Sequence, residues 1–135
     1  MNKVAVDKNL PYAYEGIIMA EIARNGKVNK SYRGQISTLG AAITMGSVKA
    51  AVCFFSEAAN NNSEVDRSKL LKAITYVLQT CEDTKERYKA VGGKKGLKEY
   101  VLNTNSDTEI LKEDIVNAAI AIKLALNLFE WEAAK

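Results

Sequence analysis

The chain has 135 residues and a formal net charge of +3, from 19 basic and 16 acidic side chains, which excludes a histone-like polycation. This length suits one domain with its own hydrophobic core. The sequence has no histidine and two well-separated cysteines, Cys53 and Cys81, so it lacks the commonest general base and the ligands of a zinc site or a CxxC pair.

Apolar residues recur at helical spacing in every sizeable segment. This pattern predicts an all-α fold without a sheet, a compact single-domain helical bundle of about five to six helices over residues 1–135. We expect the first helix to begin at Pro11, a favourable first helical residue, and to end near Asn25 and Gly26. The second helix carries one apolar face and stops at Gly46. That face consists of Tyr32, Ile36, Leu39 and Ile43.

The later helices are predicted from the same spacing of apolar residues. The third presents Val48, Val52, Phe55 and Ala59; the fourth, after a capping signal at Ser63 and Asp66, presents Leu70, Ile74, Val77 and Cys81. A flexible basic linker over about 84–96 precedes a short helix at 97–102. The last helix, from about Asp107 to Ala133, is apolar on two stripes, which indicates either a central helix or a subunit interface.

Basic residues are concentrated in two stretches of the chain. Residues 22–56 contain five cations and no acid, and residues 84–98 carry a net +5, whereas residues 99–135 carry a net −4. We interpret the cations as candidate phosphate contacts for a nucleic acid, against the alternative of solvated helix faces and a solvated linker. The candidate nucleic-acid-binding residues are Arg24, Lys27, Lys30, Arg33, Lys49, Lys94, Lys95 and Lys98.

Catalytic and membrane functions are not expected from these residues. The hydroxyls between Ser31 and Ser47 have no histidine to activate them, and the glycines at 92–96 do not fit a phosphate-binding loop. We therefore expect no enzyme, no catalytic residue, no metal and no cofactor. The beginning of the chain does not resemble a signal peptide, and the apolar stretch 115–128 is interrupted by polar residues, so we expect a cytoplasmic protein without a membrane partner.

The second and third helices resemble the small subunit of the type III-B (Cmr) CRISPR ribonucleoprotein. The matching features are a tyrosine followed by a basic residue, an apolar helix, a Gly-bearing junction, and a helix rich in Ala and Phe. Here these are Tyr32-Arg33, then Ile36, Leu39 and Ile43, then Met45-Gly46, then residues 48–55. Near the end, Thr108-Glu109 opens a long helix that carries Leu124, Leu128 and Trp131, a further similarity.

The resemblance implies a helical protein without catalysis that stacks with copies of itself beside the other CRISPR effector subunits. Its partners would be the backbone and large subunits and, through phosphate contacts, the guide RNA and target RNA. Stacking would bring the acidic surface near Asp107, Glu109, Glu113 and Asp114 against the basic residues of another copy. The alternative is a helical protein–protein adaptor or regulator that binds an acidic partner.

Overall fold

The computed structural model describes residues 2–56, 66–92, 96–103 and 108–132. Within these ranges the chain forms seven α-helices, one 3₁₀ turn and three two-residue strands, so the expected all-α bundle is confirmed with a small sheet added. The helices are α1 (Lys3–Met19), α2 (Ser31–Met45), α3 (Val48–Phe55), α4 (Ser68–Thr80), α5 (Lys85–Tyr88), α6 (Gly96–Asn103) and α7 (Thr108–Ala125). The 3₁₀ turn is Leu126–Leu128, and the strands are β1 (Ala23–Arg24), β2 (Lys27–Val28) and β3 (Glu130–Trp131).

Helix α7 is the central helix of the bundle. It packs against α1, α2 and α4, and the first of its two apolar stripes is buried from Leu111 to Ile122. The second stripe is only partly covered: Val116 and Ile120 are half-buried, while Leu124 and Leu128 are exposed. The central-helix interpretation therefore accounts for the first stripe, and the second reaches solvent near the end of the helix.

Helix α1 begins eight residues before the proline that the sequence suggested as its start. The Asn2 side chain caps the helix, since its Oδ1 accepts hydrogen bonds from the backbone N–H groups of Val4 (3.0 Å) and Ala5 (3.2 Å). Pro11 lies inside the helix on its exposed side. The cost of proline is offset because the helix buries Val6 and Ile17 in the core.

A β-hairpin follows α1, and the expectation of no sheet was wrong here. Asn25 (φ 55°) and Gly26 (φ 77°) both adopt the left-handed conformation, as a two-residue type I′ turn requires, so Gly26 is a hairpin residue and not a helix cap. Strand β1 pairs antiparallel with β2 in this hairpin. The Asn-Gly dipeptide was the sequence signal for it.

The third strand comes from the other end of the sequence. The last helix ends at Ala125 and not near Ala133, because β3 leaves the helical path to pair parallel with β2. The backbone N–H groups of Glu130 and Glu132 donate to the carbonyl oxygens of Gly26 (3.0 Å) and Val28 (2.8 Å). These hydrogen bonds join residues a hundred positions apart, so local periodicity could not indicate them.

Replacing Gly26 with alanine is expected to lower the free energy of unfolding by about 1–2 kcal/mol, because a Cβ disfavours its left-handed conformation. Gly34 is the matched control. It lies inside α2 with open space around it, so Gly34→Ala should raise the free energy of unfolding by about 0.5–1 kcal/mol. Urea unfolding of both variants measures the two effects. Equal shifts of the same sign would contradict the turn assignment.

The structure differs from the linker prediction over residues 84–92. Helix α5 lies in this segment, Tyr88 is only 1% exposed, and Val91 is buried. The Gln79 side-chain amide donates to the carbonyl oxygens of Tyr88 (3.0 Å) and Val91, which fixes the segment on α4. Residues 93–95 of the expected linker, and Ser63 and Ala59 from the earlier predictions, lie outside the described residues.

Candidate nucleic-acid interface

Four of the candidate cations lie together at one end of the bundle. Arg24 and Lys27 are in the hairpin, and Lys30 and Arg33 are at the start of α2. All four side chains are exposed, and none of them forms an ion pair with any residue that the structure describes. We call Arg24, Lys27, Lys30 and Arg33 the hairpin basic patch. Its positive charge is available to an external anion.

The outer face of α2 extends from this patch and carries small and hydroxyl side chains without an acid. The hydroxyls of Ser37, Thr38 and Thr44 donate to backbone carbonyls four residues earlier in the helix, at 2.9–3.1 Å. Because these hydrogens are already used, they are not offered to a phosphate. Phosphate contact at this face therefore depends on the arginines and lysines of the patch.

The amino-terminal end of α2 lies within the patch. The Asn29 side chain accepts a hydrogen bond from the Ser31 backbone N–H (2.9 Å). This 15-residue helix begins at Ser31, directly after Lys30. The positive end of the helix dipole therefore reinforces the charge of Lys30 and Arg33.

The tertiary structure also brings two acids close to the patch. Lys27 is the register partner of Glu130 in the parallel β2–β3 pair, and Glu132 follows one residue after that strand. Burial raises the pKa of the Tyr32 phenol above 10.0; the backbone N–H of Asp66 and the charge of Arg24 lower it, whereas the charges of Asp66 and Glu132 raise it. The one-sided charge of residues 22–56 is thus partly offset by the end of the chain.

Lys49 is not part of the hairpin basic patch. It lies at the start of α3, on a shallow depression that it shares with Glu109 and Lys112 of α7. Helix α2, about 22 Å long at 1.5 Å per residue, separates this end of the bundle from Lys30.

Lys98 is at a third location, on α6, where it faces the same cleft as Lys72 of α4. Lys94 and Lys95 lie outside the described residues. The eight candidates therefore do not form one continuous surface within the part of the chain that the structure describes. Lys72 was not among the sequence candidates, because it is one of two lysines on an ordinary amphipathic helix and no local signal marks it.

Asp114, expected on an acidic stacking surface, is engaged inside the molecule. The Tyr88 hydroxyl donates to its Oδ2 (2.6 Å), and the Arg87 guanidinium lies 3.1 Å from the same oxygen. The Asp114 side chain is only 13% exposed, so it serves to hold α5 against α7 and is not available to another copy. Asp107 lies outside the described residues, and both Glu109 and Glu113 have interactions within the chain.

Over the ranges that the structure describes, no group of three or more acidic or cysteine side chains is placed to hold a metal ion. No helix in those ranges is long and apolar enough to cross a membrane. Comparisons with protein-family models, curated proteins and solved structures give no significant match.

Proposed function

We propose that this protein is a non-catalytic small subunit of a type III-B CRISPR effector complex, which uses the hairpin basic patch to contact the phosphates of guide or target RNA. The observation that carries the proposal is the patch itself: four exposed cations on a hairpin and a helix start, with no ion pair among the described residues. The CRISPR assignment rests on the family resemblance, which covers roughly residues 11–60 and 97–133.

Phosphate contact of this kind positions an RNA without reading its sequence. In the proposed complex, base pairing between guide and target supplies the specificity, and the patch shapes the channel in which they pair. The backbone and large subunits, together with further copies of this chain, hold it in place. The proposed complex acts in the cytoplasm.

The absence of a catalytic role is part of the proposal. It is supported by the lack of histidine in the sequence and by the hydroxyls on α2, which donate to helix carbonyls. The Asp114 carboxylate is held by the Tyr88 hydroxyl and the Arg87 guanidinium, which suits a structural role.

A second candidate is a helical adaptor, and a specific surface favours it. Tyr14 and Ile18 of α1, with Leu128 and Phe129, form the apolar part of a groove beside the Asn25-Gly26 turn, and Glu130 is part of its polar lining. Ile18 is 47% exposed and Leu128 is 69% exposed, which is typical of a protein-binding site when such side chains are contiguous. An acidic partner with apolar anchors would match this groove and the adjoining patch.

Fluorescence anisotropy of a labelled single-stranded RNA with the isolated protein tests the main proposal. We expect weak, sequence-independent binding. The logarithm of the association constant should fall linearly with the logarithm of salt concentration, with a slope of about −3 if four phosphates are contacted. Reconstitution with the backbone and large subunits and guide RNA should incorporate the chain. Salt-independent binding, or exclusion from the reconstituted complex, would overturn the proposal and favour the adaptor.

A further inference from the structure

A cleft separate from the hairpin basic patch lies between α4 and α6. It is bounded by Ser56 at the end of α3 and by Val91 and Gly92, and has a volume of about 400 Å³. This is within the range of roughly 300–1,000 Å³ that is usual for small-molecule sites. The cleft shares no residue with the hairpin basic patch. Part of the patch lies on α2 and part of the cleft lies on α4, and each of these helices packs against α7.

The charged side chains among the described residues of this cleft are both cationic. Lys72 of α4 and Lys98 of α6 both line it, and both are exposed. Neither lysine forms an ion pair with a residue in the described ranges, and no described lining residue is acidic. Each of the two helices that border the cleft therefore contributes one ammonium group that can donate to an anionic group.

The hydroxyls that line the cleft already donate within the protein. Ser68 donates to Asp66 (2.6 Å), Thr75 to the Leu71 carbonyl (2.7 Å) and Tyr76 to Glu15 (2.8 Å). Their oxygens therefore offer lone pairs to a ligand, so they suit ligand hydroxyl or amino groups. The lysines are the donors of the cleft and the hydroxyl oxygens are its acceptors.

Apolar side chains complete the lining. Leu71 of α4, Val91 and Leu97 of α6 are each less than a tenth exposed and contribute to the cleft surface. A ligand that matches this lining combines an anionic group, hydrogen-bond donors and an apolar body. A sugar phosphate lacks the apolar body, and a fatty acid lacks the donors.

We infer that the α4–α6 cleft binds a nucleoside monophosphate, with its phosphate between Lys72 and Lys98 and its base against Leu71 and Leu97. The ribose hydroxyls and base amino group meet the oxygens of Thr75 and Tyr76. The same chemistry is present in a free nucleotide and in one nucleotide of an RNA strand, and the cleft volume suits one such unit. This site does not depend on RNA binding at the hairpin basic patch.

Titration of ¹⁵N-labelled protein with AMP, followed by NMR, tests the inference. We expect saturable shifts of the backbone amides of Thr75, Tyr76 and Leu97. The double variant Lys72→Ala/Lys98→Ala should lower the affinity by about tenfold per lysine. The charge-matched control Lys3→Ala/Lys89→Ala lies outside both the cleft and the hairpin basic patch, and should bind AMP as the unchanged protein does. Both pairs are exposed, so neither variant is expected to unfold.

Two further probes separate the sources of the ligand. Inorganic phosphate should bind more weakly than AMP at the same amides, because it makes no contact with the apolar lining. A single-stranded RNA tetramer should shift these amides no more strongly than AMP. The inference is overturned if AMP gives no saturable shift there, if the Lys72/Lys98 variant binds it unchanged, if phosphate binds equally well, or if only the RNA tetramer binds.

Discussion

Replacing Arg24, Lys27, Lys30 and Arg33 together with alanine should lower the affinity for single-stranded RNA by several-hundred-fold at about 0.1 M salt. The estimate follows from counterion release. Each phosphate contact contributes about 0.7 to the slope of the logarithm of affinity against the logarithm of salt concentration, so losing four contacts changes that slope by about 3. Anisotropy titrations over a salt series measure both quantities. The melting temperature should change little, because all four side chains are exposed and none forms an ion pair among the described residues.

A charge-matched control distinguishes this patch from net charge. Replacing Lys3, Lys8, Lys85 and Lys89 with alanine also takes the formal net charge from +3 to −1, since each set removes four positive charges. These lysines lie on α1 and near α5, away from the hairpin. We expect the control to retain most of its affinity and salt dependence. Equal losses in the two variants would mean that RNA senses only the overall charge.

Replacing Tyr88 with alanine should lower the free energy of unfolding by about 3–5 kcal/mol, the second large effect expected here. Tyr88 is 1% exposed, its ring packs edge-on to Tyr100 at 5.5 Å between centroids, and its hydroxyl donates to Asp114. The milder change Tyr88→Phe keeps the ring and leaves the Asp114 carboxylate short of one donor. It should lower the free energy of unfolding by about 1–3 kcal/mol. Urea or thermal unfolding measures both.

Tyr100→Phe is the matched control, because it removes a hydroxyl from the neighbouring, half-buried ring. Its effect should stay within about 0.5 kcal/mol. A similar loss in Tyr88→Phe and Tyr100→Phe would show that the hydrogen bond to Asp114 contributes nothing particular.

The Tyr88 phenol also affects how the free energy of unfolding changes at alkaline pH. Burial, followed by the hydrogen bond to Asp114 and the charge of that carboxylate, raises the pKa of the Tyr88 phenol far above its ordinary value of 10.0. Below pH 10 the phenol is protonated in both folded and unfolded chains, and its contribution to stability is complete. Above pH 10 the unfolded chain releases the proton more readily, so the free energy of unfolding falls as pH rises. Tyr88→Phe should therefore show a shallower decline above pH 10 than the unchanged protein, and this comparison removes every contribution that the two proteins share.

The candidate site was only partly predictable from sequence. Arg24, Lys27, Lys30 and Arg33 are near each other in the chain, and a hairpin and a helix start keep them together. Lys49 has the same local signal, yet the length of α2 carries it to the other end of the bundle. The approach of Glu130 and Glu132 to the patch depends on the β2–β3 pairing, which joins distant parts of the chain.

The sequence by itself determined the helical elements whose apolar residues repeat at helical spacing. In α2 the four predicted core residues Tyr32, Ile36, Leu39 and Ile43 are all buried, because a one-sided apolar stripe can be covered only in one orientation. Tertiary structure alone decided where α7 ends, since two hydrogen bonds from Glu130 and Glu132 to the hairpin replace continued helix. It also decided that residues 84–92 pack against the bundle, because the Tyr88 hydroxyl donates a hydrogen bond to Asp114 of α7, which lies 26 positions away in sequence. Local periodicity records which face of an element is apolar, whereas strand pairing, buried polar partners and the separation of charges depend on which distant residues the fold brings together.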